Sequence, residues 1–311
     1  MLALKLTIEI TLLVVLGWVL GKIHMFSDRF EGDLSRFVID AALPCLIVVS
    51  MNKPFDPAEM GGLITVMLIS LGLLAAFFAV GQIGYYAVGG GASGRLVRFG
   101  TTFCNYTYFG MPVMETLFGA EGLFLYSIFS VPIRLVIYFF ARVNFSGKNG
   151  VKSFKDLLRL AVTPPTVAVA VGLTLYLLNI QLPEVLYKTM DSVGDTSSPL
   201  GMILIGMSLS HIRFRDIFRF PKAFITVGLR CFAAPIIALA ALYFTKLDPL
   251  YIKMSVIYAS LPVSAITTSY IINYEKDENA AHESAVAVLV STLLSIITLP
   301  LTVWILERIY G

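Results

Sequence analysis

The residues able to do chemistry in this 311-residue chain form two polar clusters around prolines, with a scatter of charges inside apolar stretches. The first cluster runs Thr101, Thr102, Asn105, Tyr106, Thr107 and Gly110 up to Met111-Pro112. The second has Ser260 before Pro262, then Ser264, Thr267, Thr268 and Ser269 after it. Amide and hydroxyl donors suit a small anion, because they bind it without a charge that would trap it. Proline removes a backbone donor and clashes with the preceding turn, so helix breaks are expected at Pro112 and Pro262. Each proline also suits the first position of a fresh half-helix. Two half-helix N-termini meeting in this way would favour an anion through their free N–H groups and dipoles. The expected anion ligands are Asn105 with the backbone around Gly110, Met111 and Pro112 and around Ser260, Pro262 and Ser264; Thr102, Thr267 and Thr268 are secondary. Two kinked helices with no ligand are the plainer alternative.

The charges inside apolar stretches are Glu9, Asp40, Glu115, Arg134, Asp191, Asp195 and Arg230. Each costs about 2.5–3.5 kcal/mol at the centre of a bilayer, so each is a candidate for function. Asp40 lies four residues before Pro44 and Asp195 four before Pro199, on the same helix side as the proline. Asp191 is one turn further from Pro199. These three are candidate carriers of a coupling proton or ion, with ion pairs to Arg134 or Arg230 as the alternative. Glu115, three residues past Pro112, is a further candidate, but a cap on its half-helix is the reading preferred for it.

The elements that must position these groups are membrane helices. Hydrophobic residues make up 57% and charged residues 14%, and mean hydropathy is +0.83. Soluble proteins hold roughly 45–50% and about 25%. Too few charges remain to coat a soluble enzyme, and a net charge of +3 excludes nucleic-acid binding. Ten apolar stretches of about 20 residues each are expected to span: 2–21, 34–51, 61–88, 96–118, 122–143, 157–179, 185–210, 222–245, 250–273 and 281–306. Lysines and arginines following the odd-numbered spans outnumber those on the other side 15 to 6. That bias puts the connector 144–156 in the cytoplasm and both termini outside. Asp40 and Asp195, Pro44 and Pro199, and Pro112 and Pro262 repeat at nearly one offset, which implies duplication. The expected organisation is a five-helix repeat over 1–143, the connector, and a second repeat over 157–311. An odd number of spans per repeat inverts the second half, the plan of many secondary transporters.

The stretch Asn105-Tyr-Thr-Tyr-Phe-Gly-Met-Pro112, followed by Leu117-Phe-Gly-Ala-Glu-Gly122, resembles the fourth-span signature of the auxin efflux carrier family. Ala42-Leu-Pro44, Ser198-Pro-Leu200 through Gly206-Met-Ser-Leu209, Leu261-Pro-Val-Ser-Ala265 leading to Tyr274, and Ser291-Thr-Leu293 through Leu299-Pro300 are similar to other pieces of it, in the family's order. The resemblance implies an all-α membrane protein: ten helices in two inverted five-helix repeats, with broken helices four and nine crossing at the substrate site. It implies a scaffold built partly from helices two and seven, a homodimer, and small organic anions as substrates, auxin-like monocarboxylates or dicarboxylates such as malate or malonate. It also implies that Asn105, seven residues before Pro112, contacts the substrate carboxylate. The chain departs from the family at Thr163-Pro164-Pro165 and at Thr267 and Thr268, where relatives often carry asparagine, which bears on the substrate more than on the fold. The short connector resembles bacterial members, so the expected location is a bacterial inner membrane.

Other patterns carry less. Gly89-x-Gly91-x-x-Gly94 matches a dinucleotide fingerprint by letters but follows a membrane helix, so it is expected to be a turn. Gly17-x-x-x-Gly21 fits close helix packing. Cys45, Cys104 and Cys231 are expected as small buried hydrophobes. His24, His211 and His282 lie far apart, and no HExxH, GxSxG or CxxC occurs, so no catalytic residue, metal or cofactor is expected. The alternatives to an anion transporter are a sodium-coupled symporter of the bile-acid carrier type, with a cation at the crossover, and an intramembrane hydrolase built on Asp40 and Asp195.

Overall fold

In the computed structural model, residues 2–27, 29–146, 162–210, 217–275 and 277–311 are described. The connector therefore lies outside the described residues from 147 onward, as do His211, Arg213, Arg215 and Lys276. The helices are α1 (Leu2–Lys22), α2 (Phe30–Phe37), α3 (Leu43–Ser50), α4 (Met60–Ala87), α5 (Gly91–Thr102), α6 (Met111–Ser146) and α7 (Pro164–Leu177). They continue as α8 (Glu184–Gly194), α9 (Ser197–Ser210), α10 (Ala223–Gly228), α11 (Ala234–Tyr243), α12 (Pro249–Ser260), α13 (Ile266–Tyr270) and α14 (Glu278–Tyr310). Among the described residues there is no strand; Cys104 and Val263 form an isolated antiparallel bridge.

Four helical runs are long and apolar enough to cross a membrane: Pro57–Ala87, Tyr106–Phe145, Ala223–Tyr243 and Glu278–Tyr310. The 28 residues of α4 alone rise about 42 Å, against a hydrocarbon core of about 30 Å. Other expected spans are interrupted. The stretch 185–210 is not one helix: α8 ends at Gly194 and α9 starts at Ser197 after a turn at Asp195 and Thr196. Within α6, Gly119 has φ 64° and ψ −159°, a break falling between the expected spans 96–118 and 122–143. A side chain disfavours that backbone, so glycine is needed there.

Two widened turns have a common cause. The π turn Val38–Ala42 comes two residues before Pro44, and the π turn Leu229–Ala233 two before Pro235. Each proline lacks the N–H that would bond the carbonyl four residues back and its ring crowds that carbonyl. Widening the preceding turn relieves both effects and turns nearby side chains to a new face.

The chain forms two compact units. One contains Met1–Met67, Thr107–Val131 and Ala161–Ile212; the other Leu68–Tyr106, Pro132–Leu160 and Arg213–Gly311. Each takes segments from both sides of the connector.

In the first unit, α1 and α9 pack backbone to backbone. A Cβ on Gly17 would overlap the Ile203 backbone, and one on Gly206 the Val14 carbonyl, so the glycines permit the approach. The helix α3 packs on α7 and α8, with Gly194 against the Leu46 backbone. The loop after α3 is held by side chains. Asn52 Oδ1 accepts from Leu182 N at 2.8 Å and Asn179 Oδ1 from Phe55 N at 3.1 Å. Glu59 accepts from Tyr176 at 2.7 Å and pairs with Lys53 at 2.7 Å, and Lys53 lies 4.3 Å from the Phe124 ring centre.

In the second unit, the run α10–α11 packs on α14 and α12. Phe99, Phe103 and Phe140 form an aromatic cluster, with ring centres 4.9 Å apart for Phe99 and Phe103 and 5.6 Å for Phe103 and Phe140. At the start of α5, Arg95 pairs with Glu275, and Ser93 donates to the buried Glu283 at 2.6 Å. Gly89, Gly90 and Gly91 have φ of 86°, 70° and 67°. The glycine-rich motif is thus a turn that brings α5 against a carboxylate of α14, and that carboxylate stands where a helix N-terminus favours negative charge.

Candidate functional site

The second unit brings together two broken helices. Pro262 explains one break. The residue before a proline is pushed out of the helical region, and Leu261 is extended at φ −68° and ψ 147°. The helix α12 therefore stops at Ser260 and resumes at Ile266. The other break lies at Phe103-Cys104-Asn105, not at Pro112. Phe103 is extended at φ −116° and ψ 126°, and a π turn, Tyr106–Gly110, follows before α6 begins at Met111. Pro112 stands in the first turn of α6, the half-helix start expected of it. No proline causes this break; the run Thr101-Thr102-Phe103 is simply rich in residues that favour extended backbone.

The two extended segments pair. Asn105 N donates to Pro262 O at 2.8 Å and Ser264 N to Phe103 O at 3.4 Å, flanking the Cys104–Val263 bridge. Side chains alternate across such a ladder. Cys104 and Val263 therefore share one face, and Phe103, Asn105, Pro262 and Ser264 the other.

Hydrogen bonding sorts the expected ligands. Thr102 donates its hydroxyl to Arg98 O at 2.7 Å, Ser260 to Val256 O at 2.8 Å and Thr267 to Ser264 O at 2.6 Å. Thr268 pairs with Ser284 at 2.9 Å. A hydroxyl whose proton is committed to a carbonyl presents lone pairs, which repel a carboxylate. Asn105 and Ser264 differ: among the described residues neither side chain has a hydrogen-bond partner, though they are only 9% and 6% exposed. Buried Arg134 lies 5.2 Å from the ring centre of Tyr106, the residue after Asn105.

Arg230 is fully buried at the π turn before Pro235, and its hydrogen bonds go to backbone carbonyls and not to the carboxylates of the expected ion pairs. Its three nitrogens donate to Leu261 O at 3.0 Å, Thr101 O at 3.1 Å and Tyr258 O at 2.8 Å. Sequence reasoning missed this role, because backbone carbonyls leave no mark in a sequence. A proline five residues later was the available signal.

The remaining expected residues lie in the first unit. Gly110, Met111 and Pro112 are buried, and Pro112 O accepts from Thr116 at 2.8 Å and Ser198 at 3.3 Å. Glu115 is not a cap. Its Oε2 is buried without a hydrogen-bond partner among the described residues, and Asp195 and Asp191 act on it electrostatically. Asp195 is exposed and Asp191 half-buried. Asp40 is exposed on its π turn. Cys104 and Cys231 are buried as expected, and Cys45 is half-buried.

Residues 2–305 match the family described as membrane transport protein. The chain is 25% identical over 299 residues to an uncharacterized transporter of Methanothermobacter thermautotrophicus, covering 94% of this chain and 95% of that one. The family match spans nearly the whole chain and agrees with the ordered motifs from Ala42 to Pro300: the protein belongs to the membrane transport protein family of auxin efflux carriers.

Proposed function

We propose that the protein is a secondary transporter that moves a small organic anion, a mono- or dicarboxylate, across the membrane by alternating access. The observation that carries this reading is the pair of uncommitted polar side chains, Asn105 and Ser264, on one face of the crossing. An amide N–H and a hydroxyl can each donate to one carboxylate oxygen, replacing water without fixing the anion by charge. The same two side chains could instead lend an oxygen to a cation, and the sodium dependence of transport separates the anion carrier from the sodium symporter. In this reading the chain has ten helices in two inverted repeats, 1–143 and 157–311, with both termini outside a bacterial inner membrane, and works as a homodimer. The coupling proton is assigned to the acidic group of the first unit, Glu115 with Asp191 and Asp195, and Asp40 is the further candidate.

The test is counterflow in proteoliposomes carrying the purified protein, with a panel of radiolabelled mono- and dicarboxylates, amino acids and a bile acid. Exchange of one or more carboxylates, unaffected by replacing sodium, is expected. Exchange confined to a sodium-dependent substrate would replace this reading with the symporter.

A further inference from the structure

The structure assigns to the carbonyls of Thr101, Tyr258 and Leu261 a cation site whose permanent occupant is the guanidinium of Arg230. Two helices end at this point. Thr101 is in the last turn of α5; the amide that would bond its carbonyl, that of Asn105, is given to Pro262 instead. Tyr258 is in the last turn of α12; the amide four residues on is absent because residue 262 is proline, and the Tyr258 carbonyl keeps only a tighter bond from Leu261 N at 3.2 Å. Leu261 is extended, beyond the helix. Each break thus leaves a carbonyl without its regular helical donor and with a free lone pair, and each helix adds the negative end of its dipole. Converging carbonyls at broken helices are the groups that coordinate sodium in transporters of this plan.

Here they converge on a side chain. Arg230 reaches all three at 2.8–3.1 Å. Its Cζ lies 5.2 Å from the Phe77 ring centre and 5.5 Å from that of Tyr258, so aromatic faces flank the charge where the carbonyls do not. A guanidinium keeps its proton in any protein environment and cannot leave, so this cation is a fixture and is not transported. Arg230 is a positioning residue. It holds the ends of α5 and α12 in register, and through them the extended segments that carry Asn105 and Ser264. This deepens the proposed function by saying what fills the crossing in place of a coupling ion, but the geometry stands in one unit without any substrate.

Thermal unfolding of the purified full-length protein in detergent tests it without substrate, so its result is independent of the counterflow result. Arg230→Ala should lose about 5 °C or more in Tm and regain a large part of it with guanidinium chloride at about 10 mM, saturably, with urea at the same concentration as the neutral control. Wild type should not respond to either. Loss of Tm without rescue by guanidinium, or equal rescue by urea, would overturn the assignment. Where Arg230→Ala cannot be purified, Arg230→Lys and Arg230→Met decide. Lysine keeps the charge and methionine only the apolar stem, so Arg230→Lys should be the more stable; Arg230→Met equal to or above it would overturn the proposal.

Discussion

At the scale of single residues, the crossing is sorted by where each hydroxyl proton goes. Thr267 gives its proton to Ser264 O at 2.6 Å, and Ser264 gives its own to no described group. Ser264→Ala should therefore weaken carboxylate binding by about 1 kcal/mol, roughly fivefold, and leave Tm unchanged, because a site donor is lost. Thr267→Ala should lower Tm and change affinity little, because an internal bond is lost. Binding isotherms and melts of the two purified variants check this; the reverse pattern would show that Thr267 is the ligand. Sequence pointed to both residues alike. It gives the hydroxyl but not its partner, and a threonine three residues into a turn cannot be told from a ligand until the carbonyl it bonds is placed. Asn105 was legible because its spacing to Pro112 is part of the family motif. Arg230 was legible as an anomaly, a charge in an apolar stretch, but its three acceptors were not.

At the scale of elements, prolines made some breaks readable and misplaced another. Pro262 stops α12 as its chemistry requires, and Pro44 and Pro235 each follow a π turn. Pro112 marks where the helix restarts, since proline suits a first turn; the break itself, at Phe103-Cys104-Asn105, is held open by pairing with the extended segment at Pro262, a contact between residues far apart in sequence. The turn at Asp195 and Thr196 lies between Gly194 and Pro199, but these sit inside an otherwise apolar run that reads as one span. Glycines were more direct. The Gly206 position faces the Val14 carbonyl across the α1–α9 seam, so Gly206→Leu forces the two backbones apart. The expected cost is about 1–3 kcal/mol, a fall of several degrees in Tm. Gly228→Leu, at a position with open space, is the control and should melt like wild type. Equal melting of both variants would mean that α1 and α9 are not pressed together.

At the scale of the whole molecule, composition alone fixed the membrane class, and ordered motifs over the length of the chain fixed the family. What composition could not reveal is the grouping into two units, since both draw on segments from either side of the connector and apolar stretches look alike. The basic bias of 15 to 6 carries one prediction at this scale. A fluorescent reporter that matures only in the cytoplasm, fused after Gly311, should stay dark, and the same reporter inserted in 147–156 should be bright. A bright C-terminal fusion would reverse the orientation. The central claim is that the crossing in the second unit holds a carboxylate through Asn105. Its most direct measurement is equilibrium binding of the carboxylate found by counterflow to purified wild type, Asn105→Ala and Asn105→Asp, with melts as the folding control. The account predicts unchanged Tm, a loss of about 1–3 kcal/mol, or roughly 5- to 150-fold, for alanine, and a larger loss for aspartate, whose charge faces the anion. Wild-type affinity in a folded Asn105→Ala protein would contradict it.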